Sequence, residues 1–381
     1  LEYYSELARD KVGRIAAPVD KHTMSLVRYE PYGVVGCIIP WNYPLALMGW
    51  KLSPALAAGN TMVMKPSEIT PLSILHWVEL CGSDLPPGVI NVITGFGKSA
   101  GEPLVKHPDV PVITFTGSID TGKRIANLAS ENLKKVSLEL GGKDPIIICD
   151  DADIEVAAKG ASWGGFTNAG QVCTSIERVY VFENIADQFT EALVHEAKQI
   201  KLGDPMNEAT DMGPMSSNTQ HQKAIATVEQ ACRDGARILS GGQQPDQFET
   251  GYFYEPTVLN NISPAMEIVT EESFSPVIPI QKVRSMEEAI EQSNSTKYGL
   301  GCCIYTNNID QAMTAAEEIK SGTICINNPL MENIAAPFGG MKQSGIGREH
   351  GQEALDEFRE PKHIFIDYKQ SKKDWWFPYK E

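Results

Sequence analysis

What this chain lacks narrows its function before any motif is read. No apolar run approaches the 20 or so residues that a bilayer requires, so a membrane partner is not expected. Positive charge is scarce: 33 Lys and Arg stand against 49 Asp and Glu, a net charge of −16. A surface of that sign repels phosphate backbones and no dense basic run offsets it, so nucleic acid is not an expected partner either. The 7 histidines and 8 cysteines show no CxxC or HxxxH spacing, and His195-Glu196 lacks the second histidine of a zinc-protease helix. No metal is expected. The cysteines form no disulfide framework, and reduced thiols in a cytoplasmic compartment are the expectation. An initiating Met and a signal peptide are both missing from the start, Leu1-Glu2-Tyr3-Tyr4, which reads as a beginning part-way through a longer protein.

What is present is a globular chain of 381 residues, 42% hydrophobic and 22% charged, longer than one hydrophobic core usually supports. The first ten residues look helical and Met24 to Tyr32 extended. The apolar run Val34 to Ile39 reads as a buried strand that ends at Pro40-Trp41-Asn42-Tyr43-Pro44, where two prolines fix a loop. A helix over Trp50 to Asn60 and a strand over Thr61 to Met64 follow, with Lys65-Pro66-Ser67-Glu68 at the strand end, where open α/β sheets bind ligands. The alternation continues through a helix (71–81), strands (89–94 and 110–115) and the turn at Gly97. Gly117-Ser118 through Gly122 then opens a helix over Lys123 to Glu131. After Gly142 a second α/β region is expected, with strands over 145–149, 179–182 and 253–259 and helices over 186–200 and 216–234. Gly235 to Gly251 reads as a surface excursion, and His363 to Tyr368 alternates as an edge strand. The aromatics Trp375, Trp376 and Phe377 read as a docked tail.

Four places carry candidate chemistry, each with a plain structural alternative. Cys173, after Gly170-Gln171, could be a nucleophile, and Glu139 its general base. They lie 34 residues apart, so only a fold could join them, and a lone cysteine is more often a small buried hydrophobe. Asn42, held between prolines, could donate to an oxyanion or satisfy its own turn. Lys65 and Glu68 could bind ribose hydroxyls or form a surface ion pair. Gly117 and Ser118 could seat a pyrophosphate or act as an ordinary N-cap, since the segment is not GxGxxG.

Taken together these segments resemble the aldehyde dehydrogenase superfamily. The resemblance rests on Glu139-Leu140-Gly141-Gly142-Lys143, Gly170-Gln171-Val172-Cys173, Pro40 to Pro44 and Lys65 to Glu68. It also rests on Phe115-Thr116-Gly117-Ser118 with Gly122, Glu271-Glu272-Ser273-Phe274-Ser275-Pro276 and Pro337-Phe338-Gly339-Gly340 through Gly345, all in order along almost the whole chain. It implies an α/β fold with a variant Rossmann cofactor domain, a second α/β catalytic domain and an oligomerisation strand. The implied cofactor domain is 1–141, lacking its N-terminal portion and with 13–31 contributing to assembly. The catalytic domain is 142–343, and 344–381 returns to the first domain and supplies the oligomerisation strand. NAD is the implied cofactor, with NADP as the alternative, and the implied partner is a small-molecule aldehyde in a homodimer or homotetramer.

The resemblance also implies roles. Cys173 is the nucleophile, Glu139 the base for thioester hydrolysis, Asn42 the oxyanion donor with the Cys173 amide, and Lys51 with Glu349 a proton path behind Glu139. Ile39, Trp41, Lys65, Ser67, Glu68, Gly97, Gly117, Ser118, Leu140, Glu272 and Phe274 would hold the cofactor. Trp41, Tyr43, Leu47, Trp50, Val172, Thr174, Met331 and Phe338 would line the aldehyde entrance, with Asn327 nearby. Their apolar character points to an uncharged or cationic aldehyde. A nitrilase-type Cys-Glu amidohydrolase and an inactive structural relative remain alternatives on the residues alone.

Overall fold

The computed structural model describes residues 1–9 and 13–379, without the side chain of Ser83. The expected first helix occupies Glu2–Leu7, and Asp10, its expected end, lies outside the described residues.

A six-stranded sheet runs in the order Gly345–Ile346, Lys135–Glu139, Val112–Thr116, Val34–Ile38, Thr61–Lys65, Ile90–Val92. All neighbours are parallel except the first pair. The strands are apolar because helices cover both faces, so alternation is lost. On one face Leu47, Met48 and Leu52 pack on Val35, Met62 and Met64, and on the other Ile125 and Ala129 pack on Ile113 and Leu138. Each such Leu or Ile contributes about 1.5–3 kcal/mol through its burial. Successive strands run outward from Val34–Ile38 to one side, and Val112–Thr116 then starts on the other. That reversal is a topological switch point, and it leaves a crevice at the carboxyl ends of these two strands.

The helix expected over Trp50 to Asn60 begins six residues earlier, spanning Pro44–Ala57. Pro44 is the cause: its fixed φ and missing N–H suit the first turn of a helix, so the proline that ends the loop also starts the helix.

A seven-stranded sheet runs Arg237–Ser240, Thr257–Asn260, Val277–Val283, Ile176–Phe182, Asp144–Ile148, Gly301–Tyr305, Thr323–Ile326. Only its first pair is antiparallel. Arg237–Ser240 lies inside the stretch read as an excursion. It pairs with Thr257–Asn260 on one side only, so half-exposed strand residues hid it.

A third sheet places Thr23–Pro31 between Gly13–Ala16 and Arg359–Asp367. The last strand therefore starts four residues before His363 and is paired along its full length within the chain, from Arg359 opposite Pro31 to Asp367 opposite Thr23. Trp375, Trp376 and Phe377 do not dock on the described part of this chain: all three are more than half exposed.

Candidate functional site

The crevice at the switch point is where the motifs meet. Asn42 from the loop after Val34–Ile38, Thr116 and Gly117 after Val112–Thr116, and Cys173, Glu272 and Phe274 from the other sheet line one cavity of about 160 Å³. The thiol stands at the amino end of Ile176–Phe182, so the second sheet presents its nucleophile to the carboxyl ends of the first. Contact between the two regions is tight. A Cβ on Gly142 would lie 2.4 Å from the Cys173 carbonyl, and one on Gly141 would lie 2.6 Å from either Glu272 carboxylate oxygen. Glycines at these two places let the Glu139 segment pass directly against both residues.

The loop before Cys173 is held in an unusual conformation. Asn168 and Ala169 are left-handed at φ 51° and 57°, followed by Gly170 at φ 70°. A Cβ on Gly170 would meet the Ser275 carbonyl oxygen at 2.1 Å. The buried Gln171 fixes the turn, accepting from the Ser216 amide at 2.9 Å and donating to the Asn168 carbonyl at 2.9 Å. Asn42 Nδ2 donates to the Gln171 carbonyl at 3.2 Å, and Asn168 Nδ2 donates to the Asn42 carbonyl at 3.2 Å. Asn42 and Cys173 are thereby tied through shared backbone.

Electrostatics single out three groups. Burial pushes the Cys173 thiol up, and the carboxylates of Glu139, Asp144, Glu332 and Glu272 push it further. Glu139 is buried with neither carboxylate oxygen hydrogen-bonded, and burial raises its carboxyl to about 8 against the pull of Lys51 and Arg348. A carboxyl so placed takes up a proton far more readily than an ordinary one. Lys51, fully buried and ion-paired with Glu349, is lowered by burial to about 8, while Cys37, Glu139 and Cys173 draw it back up. Lys51 feels both Glu139 and Cys173, so these four side chains share one electrostatic neighbourhood.

Of the other expected cofactor residues, some line this cavity, whereas Ile39, Lys65, Ser67, Glu68 and Gly97 do not. Leu140 and Ser118 line the cavity, and Trp41 and Phe274, both lining it as well, meet edge to face with centroids 5.5 Å apart. Ser118 caps the helix Ile119–Ser130, accepting from the Thr121 amide. Ile39 donates its amide to the Lys65 carbonyl, Lys65 lies 3.3 Å from Glu68, and Ser67 is buried. Gly97 opens a π-helical turn, and a Cβ there would meet nothing within 4 Å.

Thr174, Met331 and Phe338 line a narrow opening together, and Trp50 packs on Phe338 with centroids 5.2 Å apart. Tyr43 and Val172 are half-buried, while Leu47 is buried in the core with Met48 and Leu52. Asn327 is engaged elsewhere. Its side chain is bonded to both the amide and the carbonyl of Thr306, because it closes the end of the Thr323–Ile326 strand.

Several residues at the site carry no motif of their own. Gln220 and Lys223, on the helix Asn218–Arg233, line the cavity beside Glu272. Glu177 makes a buried ion pair with Lys143 at 2.6 Å and accepts from the amides of Ser273 and Phe274 at 2.7 and 2.8 Å, so it sets the loop that carries Glu272. A Glu-Arg pair inside the otherwise apolar strand Ile176–Phe182 was the available signal. Burial raises the Glu272 carboxyl, with Glu177 adding to the rise and Lys223 opposing it.

The cavity retains unused polar atoms. Thr116 Oγ1 and Gln220 Oε1 are buried without a hydrogen-bond partner, and both residues line it. No group of three or more metal-ligating side chains occurs among the described residues, and no helix is long and apolar enough to cross a membrane.

A switch-point crevice on one α/β sheet, with the buried Glu139 at the end of one of its strands and closed by a thiol from the adjoining sheet, defines a two-sheet α/β enzyme with a cysteine at its ligand site. The model of the aldehyde dehydrogenase family matches residues 1–364, and the chain belongs to that family. It is 45% identical over 367 residues to betaine aldehyde dehydrogenase 1 of Oryza sativa subsp. japonica, covering 95% of this chain and 73% of the relative. It is 43% identical to retinaldehyde dehydrogenase 3 of Homo sapiens, covering 96% of this chain and 71% of the relative. A solved betaine aldehyde dehydrogenase from Staphylococcus aureus in complex with NAD+ superposes with a TM-score of 0.96 at 41% identity, over 98% of this chain and 75% of that one.

Proposed function

We propose that this chain oxidises an aldehyde to a carboxylic acid with NAD as electron acceptor, Cys173 forming first a thiohemiacetal and then a thioester. One observation carries the reading: Asn42, Cys173, Glu272 and Phe274, from both sheets, share a single cavity with two unpartnered buried polar atoms. The residues fit a dinucleotide. Ser118 at the start of a helix suits a pyrophosphate, and Glu272, Phe274, Lys223 and the free Thr116 and Gln220 oxygens suit a ribose and a ring. Lys65, Ser67 and Glu68 suit the second ribose. When bound, the nicotinamide supplies the site that takes up the hydride, and the rest of the chemistry falls to this chain.

The Cys173 thiol is pushed up by burial and by the carboxylates around it, and it gives up its proton to solvent before the sulfur attacks, which leaves Glu139 free for the later water. The sulfur bonds to the carbonyl carbon, the C=O π pair moves to oxygen, and Asn42 Nδ2 with the Cys173 amide holds the resulting charge. Once the adduct has become a thioester, Glu139 takes a proton from water, whose oxygen displaces the sulfur and releases the acid. Lys51 and Glu349 relay that proton away from the buried carboxylate. The aldehyde enters past Tyr43, Trp50, Val172, Thr174, Met331 and Phe338. A nitrilase-type hydrolase would leave the switch-point crevice without a use.

The free thiols fit a cytoplasmic setting, and the unpaired edge of Arg359–Asp367 fits assembly into a homodimer or homotetramer. The test of the reaction is Cys173→Ala. NADH formation with aldehydes disappears while NAD binding persists; turnover that survives the substitution would end this mechanism.

A further inference from the structure

Glu139, Lys51 and Glu349 are each 4% exposed or less, so a proton that reaches Glu349 still has to leave the interior. The next residue in the chain carries a side chain suited to that exit. His350 is 2% exposed, and neither ring nitrogen has a hydrogen-bond partner among the described residues. Buried polar groups are ordinarily paired, so an imidazole with both nitrogens free points to a partner from outside the chain. Its backbone, at φ 62° and ψ 171°, lies in a region that glycine alone enters freely, a strain that its surroundings must enforce. The ring meets Trp50 edge to face with centroids 4.2 Å apart and lies 5.9 Å from the Phe338 ring, while the following Gly351 amide donates to the Ile334 carbonyl. Lys51 pairs with Oε1 of Glu349, and its charge also acts on His350; Oε2 of Glu349 is buried without a partner. His350 also lines an opening of about 390 Å³ with Phe338, Met331, Glu332 and Asn333. The last three are exposed, so the opening meets solvent.

We propose that His350 is the exit of the proton path, taking the proton that Lys51 and Glu349 draw from Glu139 and releasing it to water in the opening beside Phe338. This rests on the reading of Glu139 as the base for thioester hydrolysis and of Lys51 with Glu349 as its relay. The neutral ring has one bare nitrogen, which takes a proton from the side of Glu349, and the resulting imidazolium loses a proton to water in the opening. A water between Oε2 of Glu349 and the ring gives both unpartnered groups a partner and completes the path. Burial, with Lys51 adding to it, lowers the ring to about 4, so it holds the proton only in passing and is neutral again for the next turnover.

The experiment follows NADH formation, with an aldehyde that the parent oxidises, in the parent, His350→Leu and His350→Gln. Each is measured in dilute buffer and again with imidazole added at rising concentration. Leu keeps bulk against Trp50 and Gln still bonds to water, but neither carries a proton. In dilute buffer both variants form the first equivalent of NADH as fast as the parent, and steady-state turnover then falls about tenfold, less than loss of the base itself would cause. Imidazole, a small proton carrier arriving from solvent, restores most of that turnover and leaves the parent unchanged. It restores nothing in Glu139→Gln, which separates proton transfer from direct attack of imidazole on the thioester. Variants that match the parent in dilute buffer overturn the proposal and leave the reaction standing. So does a loss that imidazole does not restore, the result of a side chain that only packs, and so does an equal rescue of Glu139→Gln. Full turnover in Glu139→Gln, or no NADH from the parent with any aldehyde, instead overturns the reading on which the proposal rests.

Discussion

The loop that carries Cys173 and the loop that carries Glu332 flank one opening, yet they are built in opposite ways. Residues 168–170 are all left-handed, two of them non-glycine, and such positions cost of order 1–3 kcal/mol each unless their surroundings enforce them. Here the enforcement is visible in the buried Gln171, the Ser216 amide and the Ser275 carbonyl against Gly170. The loop from Asn327 to Phe338 is held at its ends, by Thr306 on one side and by Glu349 pairing with Phe338 on the other, and between them mainly through backbone, the Ile334 carbonyl accepting from the Gly351 amide at 2.8 Å. Between them residues 331–337 are exposed, and Met331 is 56% exposed. Chemistry that every aldehyde shares requires fixed atoms, whereas an exposed segment carries side chains that can change without disturbing the fold.

Substitutions on the rigid side should damage every substrate equally, and those on the exposed side should alter preference. The largest effect after loss of the nucleophile is expected for Glu139→Gln. One equivalent of NADH forms quickly and steady-state turnover falls about a hundred- to ten-thousandfold, because a thioester then lacks its base. In the parent, Glu139 must be ionised to accept a proton, so turnover rises as pH increases through about 8, and the variant loses that limb. A pH profile flat between 6 and 9 would point to another base.

Gly170→Ala forces a Cβ against the Ser275 carbonyl, so the loop shifts. A displacement near 1 Å costs about a hundredfold in kcat for every aldehyde alike. Selectivity that changes while kcat holds would show the two loops to be less distinct than they look.

Glu68→Gln is expected to raise NADP use relative to NAD about tenfold. A carboxylate near the 2′-phosphate repels it by up to about 4 kcal/mol per charge pair at 4 Å and an effective dielectric near 20, less solvent screening and the offset from Lys65. The kcat/KM ratio for the two cofactors measures this, and an unmoved ratio removes Glu68 from cofactor choice. The smallest effect belongs to Met331→Ala, a few-fold change in KM among aldehydes of different bulk with kcat retained. Equal losses for all of them would place Met331 with the rigid loop.

Much of this was legible beforehand because some residues have few uses. Pro40 and Pro44 bracket a loop in almost any context, Ser118 reads as a cap, and the apolar strands read as buried on both faces. Arg237–Ser240 was hidden because an edge strand exposed on one side looks like a loop. Gln220, Lys223 and Glu177 were hidden because each gains its role only through a neighbour distant in sequence.

The sequence by itself determined the α/β alternation and the ligand end of the first sheet, and it singled out the candidate reactive groups. Hydrophobic period, proline and glycine positions, and the scarcity of chemically suitable thiols are properties that residues carry with them. Only the tertiary structure decided that Glu139 would be buried without a partner and that Lys51 would feel both Glu139 and Cys173. A side chain's charge state and its partners are set by the dielectric and the neighbours that the fold assembles around it, and neither is written in its own segment of chain.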